Sequence, residues 1–127
     1  MCSLFGLIDF KECLSTHTKN KILNVLAREC QVRGTDATGI AYNFNDRLRI
    51  YKRPLPARKM KIHISHGVNV IMGHTRMTTQ GNAQFNQNNH PFLGHIDGNS
   101  FALAHNGVLW NDKELRMEEN LPMTSVE

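Results

Sequence analysis

At 127 residues and 14.5 kDa the chain has the length of one domain. Forty per cent hydrophobic and 20% charged residues describe a globular domain and exclude a disordered tail. The formal charge of +4 is local: residues 47–61 hold seven cations and no acid, leaving eight cations against eleven acids elsewhere, a net of −3, which excludes a uniformly basic nucleic-acid surface.

In chain order, Leu4-Phe-Gly-Leu-Ile8 reads as a short, largely buried strand. Ser15, Thr16 and Thr18 are candidate caps for a helix over about 18–30, whose Ile22, Leu23, Leu26, Ala27 and Cys30 share one stripe. Ile40 to Phe44 and Leu48 to Tyr51 read as strands joined by an Asn45-Asp46 turn, and Pro54 and Pro56 end that ribbon. A short basic helix is predicted over 57–65, then a strand over Val68 to Gly73, then a polar stretch from Thr75 to Asn89 without periodicity. Such a stretch inside a compact domain marks a functional loop. Phe101 to Ala104 and Val108 to Trp110 are strand-like and flank His105-Asn106-Gly107, and Asp112 to Glu119 predicts a terminal helix ended before Pro122. Strands, helices and hairpins in this mixture predict a layered α/β or α+β domain.

The longest apolar runs fall far short of the roughly 20 residues of a membrane span, and the amino end has no secretory pattern. Three cysteines, Cys2, Cys13 and Cys30, form no metal-type pair and cannot all be bridged within one chain, which favours a reducing cytoplasm. Cys13 and Cys30 read as structural. The basic run, with Tyr51 as its one aromatic, reads as a solvated face rather than a nucleic-acid or phosphate patch.

Cys2 carries the chemistry if Met1 is removed. A thiol and a free α-amine then share one residue, and an amine of reference pKa about 7.7–8.0 can take the thiol's proton near neutral pH. The alternative is a small residue in a frayed terminus. Asn106-Gly107 reads as a hairpin turn, as a pair of oxyanion donors, or as both, since a tight turn can also present the donors and glycine is free to adopt positive φ and turn its amide inward. Arg76 is either one half of a structural ion pair or a bidentate carboxylate ligand. Arg33 and Asp36 are candidates for a pair shaping the loop after the first helix. His74, His90 and His105 lack metal-ligand spacing and carboxylate partners, so they are expected to position loops, and no metal or cofactor is expected.

Met1-Cys-Ser-Leu-Phe-Gly6, Arg33-Gly-Thr-Asp-Ala-Thr-Gly39, Gly73-His-Thr-Arg-Met-Thr-Thr-Gln-Gly81, Asn88-Asn-His-Pro91 and His105-Asn-Gly107 stand in an order that resembles the class II glutamine amidotransferase domain. That domain is the N-terminal-nucleophile glutaminase unit of phosphoribosylpyrophosphate amidotransferase and glucosamine-6-phosphate synthase. The resemblance covers residues 1 to about 115. It implies an α+β fold of the αββα four-layer sandwich type and hydrolysis of L-glutamine through a Cys2 thioester, giving glutamate and ammonia. Asn106 (side-chain NH2) and Gly107 (backbone N–H) would form the oxyanion pair. Arg76, Thr79 and Gln80 would contact the α-carboxylate, and Arg33 would help form the pocket.

Three positions depart from the family pattern: Ser3 for a glycine, Met77 for an aromatic, and Gln80 where synthase-type members often have histidine. The family continues into a Thr-Asp-Ser/Thr segment whose Asp grips the glutamine α-amine. The resemblance therefore implies that 1–127 is the amino-terminal part of a truncated domain, lacking later strands and helices and any synthase domain that would use the ammonia. It also implies unpaired sheet edges that favour association, and a segment 121–127 that needs a partner to order it. An inactive remnant serving as a glutamine-binding or regulatory module is the alternative.

Overall fold

A computed structural model describes residues 1–122. Over the described residues the fold is α+β, with eight principal elements: β1 (Ser3–Ile8), α1 (Thr16–Cys30), β2 (Ala37–Phe44), β3 (Arg47–Arg53), β4 (Val70–Arg76), β5 (Phe92–Ile96), β6 (Asn99–Leu103) and α2 (Asp112–Glu118). Short 3-10 turns occupy Gln31–Arg33, Ala57–Lys59 and Asn86–Asn88. Four strands form an antiparallel sheet in the order β1-β4-β2-β3, and β5 and β6 pair as a separate hairpin.

Helix α1 starts two residues earlier than its pattern indicates. Ser15 is the cap: its backbone is extended and its Oγ accepts from the Thr18 N–H at 3.1 Å, which satisfies one of the open amides of the first turn. Leu23 and Ala27 face the sheet and join Ile40, Ala57, Met60, Ile62, Ile64, Val68 and Ile71 in the core. Before the helix, Asp9 accepts from the Cys13 and Leu14 N–H groups at 3.0 and 2.9 Å and faces the buried Lys19 ammonium at 3.4 Å. Lys19 also donates to the Val68 carbonyl at 3.1 Å and to Asn69. These contacts tie the β1–α1 connection to the entry of β4.

The predicted basic helix over 57–65 is absent. Only Ala57–Lys59 turns, and the chain then runs extended with Met60, Ile62 and Ile64 buried and Lys61 and His63 exposed. Apolar residues at period two suit an extended segment. The decisive partners are two asparagines of α1. Asn24 takes the Ile62 N–H at 3.0 Å and donates to its carbonyl at 2.8 Å, and Asn20 does the same for Ile64 at 2.8 and 3.2 Å. The helix thus offers side-chain amides where a neighbouring strand would offer backbone.

Other boundaries move for sheet reasons. β4 runs on through His74-Thr75-Arg76, past the expected end at Gly73, because it lies between β1 and β2 and is bonded along both edges. β3 extends over Arg47–Arg53 as an edge strand with Arg47, Arg49 and Arg53 exposed, a charged edge that resists further pairing. Asn45 and Asp46 both have positive φ in the β2–β3 turn. β5 is an addition to the elements that the sequence predicts, although the Asp97-Gly98 turn that joins it to β6 is a recognised hairpin signal. Because β6 pairs with β5, the expected hairpin across Asn106-Gly107 does not form, and Val108 to Trp110 is an exposed loop. Cys13 is exposed. Cys30 is partly buried with its Sγ directed at the Leu4 carbonyl at 3.7 Å, and burial pushes its thiol pKa up. Within the expected 121–127 tail, residues 123–127 lie outside the described residues.

Replacing Asn24 by Ala leaves the Ile62 N–H and carbonyl without partners, at a cost of about 1–3 kcal/mol. Urea unfolding is expected to show that loss, whereas Arg28→Ala on the exposed face should stay within about 0.5 kcal/mol. The Leu14 N–H, followed by the Cys13 N–H and Lys19, holds the Asp9 carboxyl below the usual carboxylate range. Its contribution is therefore fully present above the ordinary aspartate pKa of about 3.9 and is lost as pH falls through the lower folded value. Thermal melts between neutral pH and pH 2 should show an acid limb that Asp9→Asn flattens.

Candidate active site

The register of the central strands brings the amino terminus to the polar end of β4. Ser3 pairs with Thr75, so Cys2 comes to lie beside the end of that strand, and Ala37 flanks Arg76 from the other side. Cys2 is buried. Its Sγ accepts from the Met77 N–H at 3.4 Å and directs its own hydrogen at the Met77 carbonyl, 3.6 Å away. The Met1 amine lies 3.1 Å from the Met77 sulfur, and an Arg33 Nη stands 3.9 Å from the Met1 sulfur. Arg33 thus lies at the amino end. It forms no ion pair with Asp36 among the described residues; the Asp36 carboxylate instead accepts from the Thr78 N–H at 2.7 Å and shapes the turn after β4.

Arg76 has 0% exposure. One Nη donates to Asn89 Oδ1 at 3.0 Å and the other to the Gln80 carbonyl at 2.5 Å. Asn89 in turn donates to the Ala83 carbonyl at 2.7 Å, so the polar stretch after β4 wraps around the guanidinium. Thr79 and Gln80 share a cavity of about 50 Å³ with His105, Gly107, Val108, Leu109, Asp112 and Arg116, room for a few waters. Asp112 and Arg116 of α2 enter this cavity with opposite charges; sequence reasoning did not single them out, because surface charges on a terminal helix carry no distinguishing pattern. A wider groove, about 770 Å³, runs between α1 and residues 57–63. Lys21, Arg28, Arg58, Lys59 and Lys61 line it, and none of the predicted site residues does.

Asn106 and Gly107 are exposed, and the structure gives the Cys2 thiol to Met77 rather than to them. Gly107 does not adopt positive φ. What a side chain would meet there is the His105 ring, since a Cβ would fall 2.5 Å from its Nε2. The loop is held from behind by histidines: His105 N–H donates to His90 Nδ1 at 3.1 Å, and His74 Nε2 bonds to the His105 carbonyl at 3.1 Å. His74 and His90 stack with ring centroids 4.2 Å apart. Lys52 grips the backbone around His90, donating to the Asn89 and Pro91 carbonyls at 2.5 and 3.1 Å. Burial pushes the Lys52 ammonium below the usual lysine range.

Residues 1–126 match the family of class II glutamine amidotransferases. The chain belongs to that family. Among curated relatives it is similar to the isomerizing glutamine–fructose-6-phosphate aminotransferases of Sulfolobus acidocaldarius (32% identical over 123 residues, 93% of this chain and 20% of the relative) and Staphylococcus epidermidis (31% over 121 residues, 93% and 19%). The Chlamydia muridarum enzyme of the same name is 33% identical over 131 residues, covering 100% of this chain and 20% of the relative. The chain therefore spans about a fifth of the length of the curated relatives it matches. No solved structure gives a significant match. Among the described residues, no helix is long and apolar enough to cross a membrane.

Gly39 decides how closely the Asn89-His90-Pro91 segment lies on β2, because a Cβ there would meet the His90 carbonyl oxygen at 2.1 Å and Pro91 Cδ at 2.9 Å. Gly39→Ala is expected to push that segment off the sheet and cost about 1–3 kcal/mol, the range of core overpacking. Chemical denaturation measures the loss, and backbone shifts at residues 89–91 and 105 in an NMR spectrum should accompany it.

Proposed function

We propose that this chain carries the glutaminase chemistry of a class II glutamine amidotransferase, with Cys2 as nucleophile. The observation that carries the reading is the buried Cys2 at the head of β1, beside Arg76 at the end of β4, within a chain that matches the family from residue 1 to 126. Removal of Met1 frees the Cys2 α-amine and takes away the group that lies against the Met77 sulfur. The amine then accepts the thiol proton as Sγ attacks the side-chain amide carbon of glutamine. The resulting oxyanion takes hydrogen bonds from the Asn106 side-chain NH2 and the Gly107 N–H. The ammonium returns its proton to the leaving nitrogen, the C–N bond breaks, ammonia departs and a γ-glutamyl thioester remains. Water, deprotonated by the same amine, cleaves the thioester to glutamate and restores the thiol.

On this reading Arg76 is the α-carboxylate ligand, with Thr79 and Gln80 beside it and Arg33 at the rim. Its Nη groups bond the Gln80 carbonyl and Asn89 Oδ1, so this role requires the substrate carboxylate to displace the Gln80 carbonyl. The four-stranded sheet and the β5–β6 hairpin then represent part of an N-terminal-nucleophile sandwich, and residues 1–127 part of a glutaminase unit. The ammonia serves a synthase domain or subunit in the cytoplasm. The names of the relatives point to a ketose phosphate, fructose 6-phosphate, as its acceptor.

The second reading, a glutamine-binding or regulatory remnant, is favoured by Ser3, which stands beside the nucleophile where the family has glycine. Two measurements separate the readings. Intact mass after treatment with a glutamine-mimicking diazoketone should show one adduct on Met1-processed protein and none on Cys2→Ser. Asn106→Ala should lower kcat for glutamine hydrolysis by about 10²–10³-fold. Processed wild-type chain that gives neither adduct nor ammonia sinks the catalytic reading, and glutamine binding by calorimetry without turnover establishes the remnant.

A further inference from the structure

His105 has both of its backbone polar groups held by side chains from outside its own loop. Its N–H donates to His90 Nδ1 and its carbonyl receives His74 Nε2, each at 3.1 Å. The carbonyl of residue 105 lies in the same rigid peptide plane as the N–H of Asn106. Holding it therefore sets the direction in which the Asn106-Gly107 pair leaves the strand. The two imidazoles are stacked at 4.2 Å with 19° between their planes, so neither ring can swing without disturbing the other.

The support behind these rings is rigid. His74 belongs to the central strand β4 and has 1% exposure, and His90 has 2%. Lys52 grips the carbonyls on either side of His90, Arg76 holds the Asn89 side chain, and Gly39 lets the segment lie against β2. Asn106 and Gly107, by contrast, are exposed and belong to neither helix nor strand. A mobile pair of donors cannot serve a transition state well, since a displacement of about 1 Å can cost about 10²-fold in rate.

We propose that His90, accepting at Nδ1, and His74, donating from Nε2, are positioning residues that hold the Asn106-Gly107 loop in the direction its donors need. The inference rests on the glutaminase reading above. The hydrogen bonds set the tautomers: Nδ1 of His90 is the bare nitrogen, and Nε2 of His74 carries hydrogen toward a carbonyl that can only accept. Neither ring is asked to transfer a proton in the reaction.

The chemistry dictates the test. Asparagine places an amide oxygen where histidine has Nδ1, and glutamine places an amide nitrogen where histidine has Nε2. In the Met1-processed full chain, His90→Leu is expected to lower kcat for glutamine hydrolysis about 10- to 100-fold with KM within about twofold, the signature of an interaction used in the transition state. His90→Asn should stay within about threefold of wild type. At the other ring, His74→Gln should retain activity that His74→Met loses, which keeps the test open if His90→Leu does not fold. Hydrogen exchange at the His105 amide should quicken in His90→Leu and not in His90→Asn. Equal losses in the Asn and Leu variants, or unchanged kcat in His90→Leu, overturn the positioning role while leaving the glutaminase reading intact. A processed wild-type chain with no hydrolysis overturns both.

Discussion

Arg76 stands at the end of the central strand with no exposure to solvent, and a guanidinium in that position must be met by oxygen atoms or cost several kcal/mol. Two such oxygens come from one stretch of chain. The Gln80 carbonyl and Asn89 Oδ1 lie nine residues apart, so satisfying one side chain folds the loop between them. Asn89 passes the constraint onward to the Ala83 carbonyl, and Lys52 closes the same segment from the edge of the sheet. The loop that lacks hydrophobic periodicity is thus ordered by polar contacts rather than by burial of apolar side chains.

The constraint extends to every part of the candidate site. Antiparallel register puts Cys2 beside the residues that follow Arg76, where Met77 bonds its sulfur through both N–H and carbonyl. Asp36 braces the next turn through Thr78. His90, fixed by its neighbours, reaches His105 and so the Asn106-Gly107 pair. A central strand buried on both edges makes a firm base for chemistry at its end, since its backbone groups are already bonded to β1 and β2. The same logic explains α1, which serves the core through Leu23 and Ala27 and serves backbone through Asn20 and Asn24.

Much of this was legible in the chain. The helix stripe, the Asn45-Asp46 turn and the strand at the amino end follow from spacing and turn chemistry that act over a few residues, although that strand is not largely buried as expected, its Leu4 and Ile8 being exposed. The five short motifs identify the family that residues 1–126 match, because each names a chemical type needed at one place. The segment over 57–65 reads as helix in the sequence but runs extended, since its backbone partners are side chains some 40 positions earlier. β5 carries no distinct strand signal beside the polar loop, and Val108 to Trp110 lacks the strand partner that β6 gives to β5.

The sequence by itself determined the identity of the candidate groups: a cysteine at position 2, an arginine after a strand, an Asn-Gly step, and histidines without metal spacing. Only the tertiary structure decided their relations. It buried Arg76 and assigned its donors, it gave the Cys2 sulfur to Met77, and it denied Gly107 the positive φ its residue type allows. It also stacked His74 on His90 and set both against the backbone of His105. The physical reason is range. Turn and helix preferences are settled by neighbours in the chain, whereas the partners of a buried polar group are chosen by which distant segments the sheet brings within about 3 Å of it.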